Sequence, residues 1–280
     1  MIDRDLPPER LVALSQEAEA LGADDVWVVE DIGWGGGIAA AATILATTSR
    51  VRVAIGILPA PLRNPVLAAM EIATLGRLYP GRFVAGIGHG VQDWMRQVGA
   101  AVPSPLALLE ETFTVVRRLL SGERVTLAGR AVSIDDAALV HPPASSVPLL
   151  AGVTGPKSLD LAARVADGVV LVEGSGADEI RDARTRAAQR TEPYEVVVLC
   201  HFFVSDDPRR VAEKVKEVSS DFFSGRQDDF TIAVGTAKHS ASVIRALWDA
   251  GATTVVLRPI GDLETQLKDV MAALSDQRGA

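Results

Sequence analysis

The sequence predicts an α/β protein built as a closed TIM-type (β/α)8 barrel, and three observations predict it. Short β-branched runs alternate with longer runs of helical spacing, the pattern of a parallel sheet buried on both faces. The length, 280 residues, is long for one layered domain and ordinary for one barrel. Polar or glycine-rich residues stand at the C-terminal ends of many different strands, whereas an open doubly wound sheet would gather them at one switch point. The reading is one domain, 1–280.

The elements follow in order. Leu11, Leu14, Ala18 and Leu21 set a helical spacing over 6–21. VWVVE (26–30) is a strand, 39–48 an Ala-rich helix and VRVAIGIL (51–58) a strand. Asn64 is a good N-cap, with Pro65 at the first helical position, for the helix through Leu78. FVAGIG (83–88) is the next strand, after the Pro80-Gly81 turn, and 105–122 a helix closed by Gly122. ERVTLAGRAVSID (123–135) breaks the alternation: two β-prone runs flank Ala128-Gly129, a hairpin insertion. Strands near 147, 168, 196 and 254 then alternate with helices over 159–166, up to Gln189, 208–222, 240–250 and 263–274, with a polar loop after Phe222. That makes seven strands where a closed barrel has eight. The first strand is short or missing, because only Met1-Ile2-Asp3 precede the first helix.

Composition excludes some functions. Lys plus Arg is 28 against 36 Asp plus Glu, a formal charge of −8 with no basic block. Phosphate neutralisation supplies most nucleic-acid affinity, so no nucleic-acid partner is expected. No apolar run approaches a bilayer's thickness, so no membrane partner is expected either. One cysteine, Cys200, and an N-terminus without an apolar leader suit the cytoplasm. No HxxxH, HExxH or CxxC occurs, so no metal is expected, and there is no GxSxG elbow.

The C-terminal strand ends carry the candidates. Glu30 and Asp31 follow the first strand, and two carboxylates there are costly unless solvated or paired, so they read as polar groups facing a substrate or as an acidic turn. Gly56-Ile57 interrupt a strand, the mark of a bulge or a close approach. Arg63, just beyond, could meet an anion but reads better as decoration of a helix entrance. In YPGRFVAGIGHG, Gly86, Gly88 and Gly90 bare one face of a strand end, so a flat ring or phosphate could lie against the backbone. His89 between them could donate a hydrogen bond or relay a proton, or sit at the rim in a structural role, and Trp94 follows on the same loop. In AGVTGPKS, the helix start at Thr154, Gly155 and Pro156 turns outward the amides of Lys157 and Ser158, which reads as an anion site beside a lysine or as a plain helix cap. Arg258 would meet an acidic group or pair with Asp262; Met70, Cys200 and His201 read as core or lining.

Taken together, EALGADDVWVVED, the stretch from TSRVRVAIGILP to PGRFVAGIGHG, and GPKSLDLAARVADGVVL resemble the luciferase-like oxidoreductase superfamily of bacterial luciferase and the deazaflavin-dependent reductases and dehydrogenases. The resemblance implies a TIM barrel, often dimeric, with the cofactor across its C-terminal face. It places Gly86, Gly88 and Gly90 beside the ring and ribityl chain, with His89 near the redox ring. It places the phosphate loop on Thr154, Gly155 and Pro156 beside Lys157, and a non-proline cis peptide near Gly56-Ile57. Many deazaflavin members carry Asp-His after the second strand; Glu30-Asp31 stand here, so that acid–base role has no histidine to fill it. The function implied is hydride transfer between coenzyme F420 and a small organic substrate by a cytoplasmic homodimer. FMN-dependent monooxygenation is the alternative, and a non-catalytic flavin-binding barrel or partner subunit the second. Gly88→Val is expected to abolish cofactor binding without unfolding the barrel.

Overall fold

The computed structural model describes residues 1–222, 230–261 and 263–275. The chain packs as two compact units, one of residues 2–19 and 23–169, the other of residues 1, 20–22 and 170 onward.

The first unit opens with a 3-10 turn at Pro8–Arg10 and helix α1 (Leu11–Ala20), which stops before Gly22 in a left-handed conformation. Strand β1 (Asp25–Val28), helix α2 (Gly37–Thr47), strand β2 (Arg52–Pro59), helix α3 (Pro65–Leu78) and strand β3 (Phe83–Gly88) follow. Next come a short helix α4 (Gln92–Gln97), helix α5 (Pro105–Leu120), an antiparallel hairpin of β4 (Val125–Ala128) and β5 (Ser133–Ala137), strand β6 (Leu149–Gly152) and helix α6 (Pro156–Val165). Strand β7 (Gly168–Leu171) leads to the second unit.

Strands β1, β2, β3 and β6 run parallel in that order, so their C-terminal ends share one edge. All six residues of β3 are buried, as a central parallel strand requires. Among the described residues no strand precedes α1, in line with the short or missing first strand read from the sequence. Ile2 makes one strand-like bond, its N–H donating to Trp27 O at 2.9 Å.

The N-terminal strand edge is pinned by side chains. The Glu19 carboxylate accepts from the amides of Ser49, Arg50 and Val51, and those at Arg50 and Val51 above all hold its pKa at about 2. Arg82 donates to Val51 O and to Thr48 O and Oγ1. Glu111 on α5 does for the hairpin what Glu19 does for β2. Burial raises its pKa, but the amides of Arg130, Ala131 and Val132 outweigh that and leave it lowered.

The second unit holds helix α7 (Ala177–Arg186), strand β8 (Glu195–Val204), helix α8 (Pro208–Phe222), strand β9 (Ala233–Gly235), helix α9 (Ala237–Asp249), strand β10 (Thr254–Pro259) and helix α10 (Leu263–Ser275). Strand β8 pairs in parallel with β10, Thr254 facing Val197, and with β9, Ala233 facing Phe202. Phe203, Val218, Val234 and Ile260 form a core cluster here. Arg184 ties Tyr194 O to Gly251 O, and the Met1 ammonium donates to Leu257 O at 2.7 Å.

The hairpin, the Asn64 cap and seven of the strands match the sequence reading. Helix α4 and strand β9 are additions, six and three residues long, too short to show a period. Residues 223–229 of the expected polar loop, and Asp262, lie outside the described residues. Met70 is a correction: it is 50% exposed on the outer face of α3.

Candidate active site at the strand ends

Four loops leave the shared C-terminal edge of β1, β2, β3 and β6, and the candidate site residues lie in these loops, in β2 and β3, or in the first turn of α6. The loop after β1 is the most heavily bonded. Glu30 receives both terminal nitrogens of Arg63, one on each oxygen (Nη2 to Oε2, 2.9 Å), and its Oε2 also accepts the Gly37 amide at the start of α2 at 2.8 Å. Arg63 Nε donates to Glu71 at 2.8 Å. Burial lowers the Arg63 pKa, but the two carboxylates outweigh it and raise the value. These three hydrogen bonds fix the orientation of the carboxylate. Glu30, a candidate acid or base in the sequence, is bonded here as a brace joining the ends of β1 and β2. Arg63 is corrected from decoration to its partner.

Asp31 is likewise engaged. It pairs with Arg4, whose guanidinium lies 4.3 Å over the Trp34 ring and 5.8 Å from the Trp94 ring centre. The two indoles stand 6.1 Å apart, tilted by 43°, and Trp34 Nε1 donates to Asp5 at 2.8 Å. Asp31 thus holds a cation in an aromatic stack.

Strand β2 breaks register between Ile55 and Leu58, and the Gly56–Ile57 peptide there is cis, at the position expected. The Ile57 side chain lies across Gly86, Gly88 and Gly152. A Cβ on Gly152 would collide with it, one on Gly86 would strike Ile55 O, and one on Gly88 would come 2.5 Å from Gly152 O. The bare face of β3 is thus filled first by protein, not left open. Gly88→Val would therefore strain the β3–β6 pairing. Gly90, at φ 68°, packs against Pro59 and Met95. Ile57 itself stays partly exposed.

The fourth loop differs. Helix α6 starts at Pro156 after Gly155 (φ 81°), with no side chain capping it, and Thr154 to Lys157 are exposed. Helices α3, α5 and α9 are capped by Asn64, Ser104 and Thr236. His89 reaches this helix start: its Nε2 lies 3.1 Å from Ser158 Oγ. Its Nδ1 is buried without a well-formed hydrogen bond. Burial lowers the imidazole pKa, and the Pro105 backbone opposes this only in part, so the site favours the neutral ring. Sequence reasoning set His89 by the redox ring; its bond is to the α6 start, and Ser158 is the partner that reading missed.

The model of the family described as luciferase-like monooxygenase matches residues 2–262. The chain belongs to that family. An F420-dependent glucose-6-phosphate dehydrogenase of Nakamurella multipartita is 32% identical over 223 residues, 72% of this chain and 65% of the relative. The chain thus spans just under two thirds of that relative's length. Among solved structures, an F420-dependent secondary alcohol dehydrogenase with an F420–acetone adduct superposes with a TM-score of 0.83 at 21% identity, covering 96% of this chain and 95% of that one. The monooxygenase RslO1 of Streptomyces bottropensis gives 0.81 at 20% identity, covering 98% and 94%. The fold is the TIM barrel of this luciferase-like family.

In the second unit, Arg258 pairs with Glu173 at 2.7 Å. Cys200 and His201 are buried in β8 as expected, and burial pushes the Cys200 thiol up to about 12, leaving it inert at neutral pH. Among the described residues, no three His, Cys, Asp or Glu side chains gather as metal ligands, and no helix is long and apolar enough to cross a membrane.

Proposed function

We propose that this luciferase-like protein is an oxidoreductase that binds the deazaflavin coenzyme F420 across the C-terminal ends of β1, β2, β3 and β6 and moves a hydride between it and a small organic substrate. The observation that carries the reading is the α6 start. It is uncapped and exposed, with a left-handed glycine and a lysine, at the end of a strand paired to the glycine-rich β3. Free amides and the positive end of a helix dipole fit a cofactor phosphate. The names of relatives such as the Nakamurella dehydrogenase support the deazaflavin.

When bound, coenzyme F420 supplies two-electron hydride chemistry at its ring. The chain's residues bind and orient it. Thr154, Gly155 and Pro156 shape the phosphate cradle, with Lys157 adding charge. Gly56 and Ile57 back the ring, and Gly86, Gly88 and Gly90 let Ile57 settle low enough to do so. Neutral His89 holds the Ser158 hydroxyl. Likeness to the Streptomyces monooxygenase keeps FMN-dependent oxygenation as the second reading. The assembly proposed is a cytoplasmic homodimer, in which a second copy covers the exposed Leu67, Met70 and Leu78 of α3.

Paired titrations with coenzyme F420 and FMN, followed by cofactor fluorescence, test this. Tight binding of F420 alone supports hydride transfer. Tight binding of FMN alone moves the protein to the oxygenases, and binding of neither leaves a non-catalytic barrel.

A further inference from the structure

The luciferase-like site shows a sharp division between charge and aromatic surface. In the first unit, the cations at the strand ends are Arg4, Arg63, Arg96 and Lys157. Arg4 is paired with Asp31, Arg63 with Glu30 and Glu71, and Arg96 with Asp93. Lys157 stands at the α6 start, the place of the cofactor phosphate. An anionic substrate would have to pull one of these cations from a carboxylate already bonded to it. For Arg63 that means breaking a two-pronged bond and leaving Glu30 without its partner.

What the site does offer is aromatic surface. Trp34 sits in the loop after β1 and Trp94 in the short helix after β3, so both rise from the same strand edge. Trp34 is 42% exposed even with Arg4 stacked over it. It is flanked by Gly33, Gly35 and Gly36, which carry no side chains of their own to cover it. The charge of Arg4 is answered by Asp31, so the stack presents flat, polarisable surface rather than net charge.

We infer that the substrate is a neutral, planar ring compound that packs against the Trp34–Trp94 pair, and not a sugar phosphate or other anion. The inference rests on the reading of these strand ends as the cofactor face.

Calorimetric titration tests it, with 1-indanone as the neutral planar probe and glucose 6-phosphate as the anionic one, each with and without coenzyme F420. F420 affinity is read first by its own fluorescence, so failure of the cofactor reading shows there and is not confused with failure of this one. Wild-type protein should bind 1-indanone and give no heat with glucose 6-phosphate. Trp34→Ala should weaken 1-indanone about tenfold, and Trp34→Phe, which keeps a ring and guards against loss of the loop itself, no more than about threefold. F420 affinity should hold in both. Binding of glucose 6-phosphate overturns the inference. So does an unchanged 1-indanone affinity in Trp34→Ala and Trp94→Ala alike. An equal fall in F420 affinity in Trp34→Ala gives the indoles to the cofactor and overturns it as well.

Discussion

The end of β1 and the start of α6 lie on the same edge of one sheet and are built on opposite plans. At β1, every charge is answered: Glu30 by Arg63 and the Gly37 amide, Asp31 by Arg4. At α6, no side chain caps the helix and its first residues are exposed. A carboxylate bonded to a guanidinium and a helix amide makes a rigid joint, whereas an exposed, uncapped helix start is where the proposed function seats an anion. The difference teaches which polar strand ends to regard as binding surface. Charge alone does not mark them; charge left without an internal partner does.

Breaking the closed end should have the largest effect. Arg63→Met leaves Glu30 and Glu71 facing each other in a half-buried place and should cost about 3 kcal/mol in urea unfolding. Adding Glu30→Gln should return part of that loss by removing the stranded charge. If Arg63→Met unfolds like the wild type, the brace is ornamental and the contrast with α6 collapses.

Gly88→Val comes next. Its Cβ would sit 2.5 Å from a backbone oxygen that cannot swing away, so a loss of about 2 kcal/mol is expected, with the β3–β6 pairing disturbed. Gly155→Ala sharpens the comparison. Its Cβ meets nothing within 4 Å, so the cost is the left-handed conformation alone, about 1 kcal/mol. Equal losses in the two variants would show that crowding is not what keeps β3 bare.

At the open end, Lys157→Ala should leave stability unchanged and weaken F420 about fivefold, with a smaller loss at high salt. A loss of stability without a loss of affinity would make the lysine a scaffold residue.

How far the sequence could be read follows the same division. The alternation of strands and helices was legible because burial on both faces leaves a continuous apolar run, as in FVAGIG. The α6 start was legible because its signal is local: strand, Gly-Pro, helix. Glu30 was not, because the residue that occupies it lies 33 positions away and no spacing announces the pair. The glycines of β3 were read as room for a ligand. The atom that fills that room belongs to Ile57 on the next strand, and a packing partner across a sheet leaves no mark in either segment alone. The Trp34–Arg4–Trp94 stack was invisible for the same reason.

The smallest expected effect concerns His89, which touches the open end without charging it. Burial holds its folded pKa below the ordinary 6.5. The unfolded chain therefore takes up the proton first as pH falls. The stability tied to the neutral ring is fully present above about 6.5 and is lost as pH falls through the lower folded value. His89→Gln keeps a polar group that can meet Ser158 but cannot titrate, so unfolding curves between pH 7 and 5 should lose part of their slope. At pH 7.5 the variant should bind F420 within about twofold of wild type, since a neutral donor replaces a neutral ring. A much larger loss of affinity at that pH would mean that the imidazole works on the cofactor directly, and the open end of this sheet would then hold a catalytic group after all.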